Sequence, residues 1–461
     1  MIDKYDAIVI GTGQAGPSLA ARLARAGQRV AIVERHQFGG TCVNTGCTPT
    51  KALVASARAA HMARRCADFG VEVEGSVRVD MKRVHARMRE IADASTNGVT
   101  QWLEGTENVD VIRGHARLSG PGVVVVDARE LHAEKIFLNV GGRARVPAIE
   151  GIDDVDFLTN TTLLDLDVLP EHLVIIGASY IGLEFAQVYR RLGSTVTVIE
   201  MGPRAIARDD LDVSETVRGV LEREGVTFHF DAECVRVAPD GTGVRVGVSC
   251  DEGPHEIVGS HLLLAVGRVP NTDDLGLDTI GVATNERGFI EVDDQLRTSV
   301  EGVWALGDCN GRGAFTHTSY HDYEVVAANL LDDDPRRTSD RISCYGLYVD
   351  PPLGRIGMTE EQARSSGRNV LVGKRMMKNV SRAKERSETD GFIKILVDGD
   401  TEEILGAAIL GIGGDEVVQM LLTAMYAKTP YTTISRGVYI HPTVSELVPT
   451  TLQSLRPLGP S

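Results

Sequence analysis

Two stretches of the chain share one pattern of apolar and polar positions. Residues 7–34 read AIVIGTGQAGPSLAARLARAGQRVAIVE, and residues 173–200 read LVIIGASYIGLEFAQVYRRLGSTVTVIE. Each starts with a short β-branched run, passes through a glycine loop, continues with apolar residues at helical spacing and closes on a second β-branched run. The pattern predicts strand, loop, amphipathic helix, turn and strand, twice. The spacing is identical: 23 residues separate Gly11 from Glu34 and Gly177 from Glu200. Gly27 and Gly193 fall at equivalent places, where each helix ends.

A single glycine loop is weak evidence of anything. The same loop, helix and terminal glutamate at the same spacing twice is the βαβ dinucleotide fingerprint in duplicate. Gly11, Gly13 and Gly16 form the first loop, and Gly177 and Gly182 belong to the second. The first glycine makes the tight turn. The helix start then offers free N–H groups and a positive dipole end to a pyrophosphate. Glu34 and Glu200 are placed to accept hydrogen bonds from an adenosine ribose. Two fingerprints imply two dinucleotides, and a flavin with a nicotinamide is the natural pair. The second loop departs from the pattern, with Ser179 where the middle glycine usually stands.

Between the first fingerprint and the next helix lies GGTCVNTGCTPTK, residues 39–51. Pro49 and the alanine-rich run after it mark a helix start, so Cys47 stands near a helix N-terminus, where the dipole favours a thiolate. A pair such as Cys42 and Cys47 can be metal-binding, catalytic or incidental. Metal binding asks for two further soft ligands, and none stands out. Two dinucleotide sites alongside favour redox catalysis. The other five cysteines, Cys66, Cys234, Cys250, Cys309 and Cys344, are scattered and read as small buried hydrophobes.

Composition narrows the picture further. With 461 residues the chain exceeds one core and suggests about three domains. Its 48 basic and 64 acidic residues give a net charge of −16, which disfavours nucleic acid and anionic membrane as partners. The basic stretch from Lys374 to Arg386 reads as a solvated surface segment. No leader pattern is visible at the N-terminus, and the longest apolar run, Ile404 to Gly414, is far short of the ~18 residues of a membrane span. An odd number of scattered cysteines argues against a secreted disulfide framework. A cytoplasmic location is the expectation.

The motifs GGTCVNTGCTPTK, AVGRVPN (265–271), ALGDC (305–309) and HPTVSE (441–446) run in order along essentially the whole chain. With them it resembles the flavoprotein disulfide reductases, the class that includes glutathione reductase, dihydrolipoamide dehydrogenase and mercuric reductase. The resemblance implies an α/β fold of two Rossmann-like domains, for FAD and NAD(P), plus a C-terminal α+β dimerisation domain. It implies a discontinuous FAD domain at 1–148 and 269–335, a nicotinamide domain at 149–268 and a dimerisation domain at 340–461. Roles follow by position. Glu34 would hold the FAD ribose and Asp308 the ribityl chain. Lys51 would sit by the flavin and pair with Glu184. Tyr180 would cover the nicotinamide pocket, to which Gly267 also belongs. Cys47 would face the flavin, Cys42 would attack the acceptor, and His441, oriented by Glu446, would move protons. Read alone, a histidine before proline is more often structural than catalytic.

The implied activity is reduction of a small disulfide, or of a quinone or metal ion, by NADH or NADPH in a homodimer without a bound metal. NADH is favoured, because Glu200 would repel a 2′-phosphate. A dihydrolipoamide dehydrogenase-type subunit and a low-turnover sensor are the alternatives. The GGTCVNTGC and GASYIG stretches resemble mercuric reductase most, but no cysteine follows Cys344, so the C-terminal pair that receives the metal there is missing.

Overall fold

A computed structural model of the chain describes residues 2–250 and 253–459. Both duplicated stretches fold into parallel sheets with the same local register. In the first sheet the strand order is Val303–Ala305, Lys135–Leu138, Ala7–Ile10, Val30–Glu34, Val109–Arg113. In the second it is Val226–His229, Thr195–Ile199, His172–Ile176, His261–Leu264. Neighbouring strands are parallel throughout both. The apolar runs AIVI and LVII are buried because parallel strands carry helices on both faces. The amphipathic helices are Gly16–Arg25 and Tyr180–Leu192, and Gly27 and Gly193 follow them with φ of +85° and +131°.

Smaller sheets flank these two, the first mixed, with Ile2–Lys4 parallel to its neighbour, and the second antiparallel. One combines Ile2–Lys4 with three strands between Ala116 and His132, and the other is a meander of three strands from Glu233 to Gly259. The C-terminal part is a six-stranded antiparallel sheet, with Phe392–Asp398 and Ile404–Leu410 at its centre and helix Gly414–Tyr426 packed on it. Every residue of Phe392–Asp398 is buried, including Lys394.

The helix that starts at Cys47 runs to Arg64 and packs on Tyr180–Leu192 of the second unit. Ala52, Leu53 and Ala57 share one apolar cluster with Leu183 and Phe185. Burying such side chains contributes roughly 1.5–3 kcal/mol each for the larger ones, and here that burial fixes the cysteine helix against the second dinucleotide unit. Among the described residues no helix is long and apolar enough to cross a membrane.

One expectation needs correction. Cys309 is fully buried, but Cys66 and Cys344 are only half-buried, and the Cys234 and Cys250 side chains lie outside those described. The basic stretch lies at the surface as expected, with Lys374, Lys378, Lys384 and Arg386 exposed, and Lys374 Nζ is 2.5 Å from Asp212 of the second unit.

Candidate active site

The two glycine loops are built alike at the atomic level. Gly11 has φ +101° and Gly177 +110°, and a Cβ on either would lie 2.3 and 2.5 Å from the carbonyl oxygens of Asn139 and Ala265. A Cβ on Gly16 or Gly182 would lie 2.2 or 2.0 Å from the Gly11 or Gly177 carbonyl. Only glycine fits these positions. The glutamates match as well. Glu34 accepts from the Thr12 amide at 3.0 Å and the His36 amide at 2.8 Å, and Glu200 accepts from Ala178 at 2.7 Å and Gly202 at 2.9 Å.

Where the loops differ, the reason is local. Asn139 accepts from the Gly16 amide at 3.0 Å and donates to the Leu306 carbonyl at 2.9 Å. A Cβ on Gly13 would come within 2.9 Å of its Oδ1. The second unit has Ala265 in the place of Asn139, with no side-chain oxygen there, so Ser179 is accommodated where the first loop requires Gly13.

Both loops open on one cleft of about 2510 Å³, which also receives Cys42, Cys47, Lys51, Asp308 and Tyr180. Cys42 is half-buried and Cys47 exposed to the cleft, both as free thiols. Cys47 begins its helix and Gly46 caps it. Its Sγ is 3.2 Å from Thr316 Oγ1, at the start of helix Thr316–Ala327. The hydrogen bond from Cys42, then the Thr316 hydroxyl and the Lys51 charge, bring the Cys47 thiol down to about 6 against the cost of burial. That same bond, and burial, push Cys42 far up. The pair therefore ionises as a unit, thiolate at Cys47 and thiol at Cys42. In the reduced protein the ultraviolet thiolate absorbance due to Cys47 should grow as pH rises through about 6. Below that it should be lost. Thr316→Val should move the midpoint upward, because a donor to the charged form is gone; an unmoved midpoint would separate Thr316 from the thiolate.

Lys51 Nζ lies 2.7 Å from Glu184 Oε2 and 4.5 Å from the centre of the Tyr348 ring. Glu184 Oε1 accepts from the Tyr348 amide at 2.9 Å. Asp308 is raised above the usual carboxylate range by burial, which Arg268 Nε at 3.7 Å partly offsets. Gly267, with φ +106°, leads into that arginine with open space beside it. Tyr180 is half-buried and packs with Phe315 and Tyr345 at ring distances of 6.1 and 5.4 Å.

His441 and Glu446 are not brought to this cleft by their own chain. Neither lines it. They pair with each other, His441 Nδ1 lying 3.0 Å from both Glu446 carboxylate oxygens, and the imidazole is 72% exposed. Beside it Val438 and Ile440 are 99% and 81% exposed. Sequence reasoning missed Thr316, Arg268 and Tyr345. Arg268 lies within AVGRVPN and so carried a signal, whereas nothing marks Thr316 or Tyr345.

The residues around the cleft fit the two dinucleotides. Each loop presents glycine backbone and a helix start, and Asp308 adds a carboxylate facing the cleft. With a cysteine pair between them, the fold and site define a nicotinamide-dependent flavoprotein with a dithiol redox centre.

Comparison with known proteins is consistent with this. Residues 5–322 match the pyridine nucleotide-disulphide oxidoreductase family, and residues 344–452 match the dimerisation domain of those enzymes. The chain belongs to this family of FAD- and NAD(P)H-dependent oxidoreductases. It is 36% identical over 454 residues to the probable pyridine nucleotide-disulfide oxidoreductase RclA of Escherichia coli strain K12, spanning 96% of this chain and 98% of that one. A dihydrolipoyl dehydrogenase of Chlorobaculum tepidum is 34% identical over 453 residues, covering 96% of each. The solved structure of RclA from Escherichia coli, an HOCl-induced flavoprotein disulfide reductase, has a TM-score of 0.89 at 35% identity, over 98% of this chain and 100% of that chain. A copper(II) complex of the same enzyme gives 0.89, over 98% and 99%.

Proposed function

We propose that the chain is a cytoplasmic homodimer that reduces a small acceptor with electrons from NADH through Cys42 and Cys47. The observation that carries this reading is the asymmetric thiol pair facing the shared cleft. FAD, when bound, passes the two electrons of the nicotinamide hydride to the disulfide form of the pair. Glu34, the first glycine loop and Asp308 would hold it, with Lys51 close by. Gly177, Gly182, Glu200 and Gly267 would hold the nicotinamide, whose pocket Tyr180 covers. The Cys42–Cys47 bond opens to a Cys47 thiolate and a Cys42 thiol. Cys42 then needs a base before it can attack, since its proton is held so firmly. Proton movement is the work of His441, oriented by Glu446. The thiolate of Cys42 attacks a disulfide sulfur, one sulfur of the acceptor leaves as a thiol with a proton from His441, and Cys47 displaces the second as the Cys42–Cys47 bond re-forms.

NADH is the preferred donor because Glu200 stands where a 2′-phosphate would be repelled. Arg204 and Arg208, which could reverse this, both line the cleft, and Arg204 donates to the Ala207 carbonyl at 3.0 Å. The proposed location rests on the scatter of the cysteines and the free thiols of the five whose side chains are described. The dimerisation domain and the exposed Val438 and Ile440 support the homodimer.

Two acceptor classes have specific support. The copper(II) complex of the RclA relative favours a metal ion as substrate, and the dihydrolipoyl dehydrogenases favour lipoamide. A panel of lipoamide, glutathione disulfide, a quinone and copper(II), each with NADH and NADPH, tests the reading. Turnover with at least one acceptor and a higher kcat/KM for NADH are expected. No turnover with any acceptor defeats the reductase reading, and NADPH preference defeats the role of Glu200.

A further inference from the structure

A string of buried charge runs beneath the mouth of the second glycine loop, and the chemistry above does not use it. Asp209 and Asp210 lie beyond the second unit's glutamate strand, facing Arg355 and Lys394 of the C-terminal sheet. The side chains of those two cations are only 2% and 1% exposed. Arg355 Nη1 lies 2.8 Å from Asp210, and Lys394 Nζ lies 2.8 Å from Asp210, 2.7 Å from Asp212 and 2.8 Å from Glu360. Charges go this deep only when paired. The three carboxylates of Asp210, Asp212 and Glu360 are close enough together to suggest a metal site. The Lys394 ammonium already stands among them as their cation.

Asp209 carries this network into the active-site cleft. Arg355 is 3.8 Å away, while Asp209 Oδ2 accepts from the Tyr345 hydroxyl at 2.8 Å and Oδ1 from the Asp210 amide at 2.9 Å. The Tyr345 ring packs on Tyr180 at 5.4 Å and lies nearly parallel to Phe315 at 5.7 Å. Tyr345 is thereby fixed at its polar end by a buried carboxylate while its side chain meets that of Tyr180 through a tilted ring contact and a hydroxyl interaction.

We propose that Tyr345, anchored by Asp209, is the seat of Tyr180, a positioning residue that sets how readily the Tyr180 ring yields to an entering nicotinamide. This rests on the reading that Tyr180 covers that pocket. A ligand that must displace a ring binds with its affinity reduced by the fraction of molecules in which the ring has moved. A hydrogen bond that keeps the seat in place lowers that fraction. A neutral hydrogen bond is worth roughly a three- to tenfold change in an equilibrium constant and one to a carboxylate more, so three- to tenfold is the least effect expected.

The test uses the flavin-loaded enzyme and NAD+ as a non-reducing probe, with Kd read from flavin fluorescence. Tyr345→Phe keeps the ring and removes the anchor, and should tighten NAD+ binding by roughly three- to tenfold or more. Asp209→Asn should act in the same direction by less, because an amide oxygen is a weaker acceptor than a carboxylate. KM for NADH should fall with Kd, and KM for the electron acceptor should not move. In a Tyr180→Ala background, Tyr345→Phe should change Kd by less than about twofold, since a seat without an occupant has nothing to position. An unchanged or weakened Kd in both single variants overturns the proposal, as does an effect that persists without Tyr180. Tyr180→Ala by itself should tighten NAD+. If it leaves Kd at the wild-type value, the reading of Tyr180 as a cover fails and the seat with it. If it tightens NAD+ while Tyr345→Phe and Asp209→Asn do nothing, the cover stands and only the seat fails.

Discussion

Cys47→Ser should abolish disulfide reduction, by at least roughly a thousandfold, while the flavin is still bleached by NADH at close to the wild-type rate. A serine hydroxyl cannot form the Cys42–Cys47 bond. Nor does it ionise near pH 6, so the Thr316 hydroxyl and the Lys51 charge have no anion to stabilise. Cys42→Ser should have an equal effect for a different reason, the loss of the group that attacks the acceptor. The residues proposed to hold the two dinucleotides are untouched in both variants. Anaerobic stopped-flow absorbance follows the flavin, and steady-state NADH oxidation follows the disulfide. If either variant keeps disulfide turnover within tenfold of wild type, the pair is structural. A quinone that keeps its turnover while disulfides lose theirs does not use the thiols.

A mixed dimer should recover about half of wild-type activity from two crippled parents. The parents are Cys47→Ser and His441→Ala, the second expected to lose roughly 10²- to 10⁴-fold as a missing acid–base group. His441 is highly exposed beside exposed Val438 and Ile440 and does not line its own chain's cleft. If it serves the cysteines of the other subunit, the heterodimer carries one doubly damaged site and one intact site. If it serves its own chain, both sites stay damaged. Tagging the two chains differently allows the heterodimer to be purified and its turnover measured. No recovery in a flavin-loaded heterodimer would remove the shared site and leave His441 to its own chain.

What could be read from the residues is what the chain writes locally. The glycine loops need positive φ and a bare Cα against the Asn139 and Ala265 carbonyls, so their constraints appear as fixed residues at fixed spacing. Cys42 and Cys47 are likewise close neighbours in sequence. Thr316 reaches Cys47 across 269 positions, and a single threonine at a helix start has no pattern to announce it. Tyr345 and Asp209 are 136 positions apart, with the same result. Lys394 sits inside the apolar run FIKILVD, where period and composition point to a buried strand. Its ammonium is affordable there only through Asp210, Asp212 and Glu360, which come from two distant segments. The departure at Ser179 was visible, but its cause was not, because that cause is the absence of an amide side chain at Ala265.

The Asn139 side chain joins the first glycine loop to the Leu306 carbonyl, and the strand just before it, Val303–Ala305, closes one edge of the first sheet. The second parallel sheet has all its strands between His172 and Leu264. During synthesis, then, the later unit can reach its native pairing while the earlier one still lacks an edge strand, its amide clamp and Asp308. The chain begins one nucleotide site first and completes it second. Until about residue 308 leaves the ribosome, the nascent protein has every residue of the second fingerprint but only part of the first cradle. With the first loop read as the FAD pyrophosphate site, capture of FAD is expected to wait on a segment nearly 300 residues downstream of that loop.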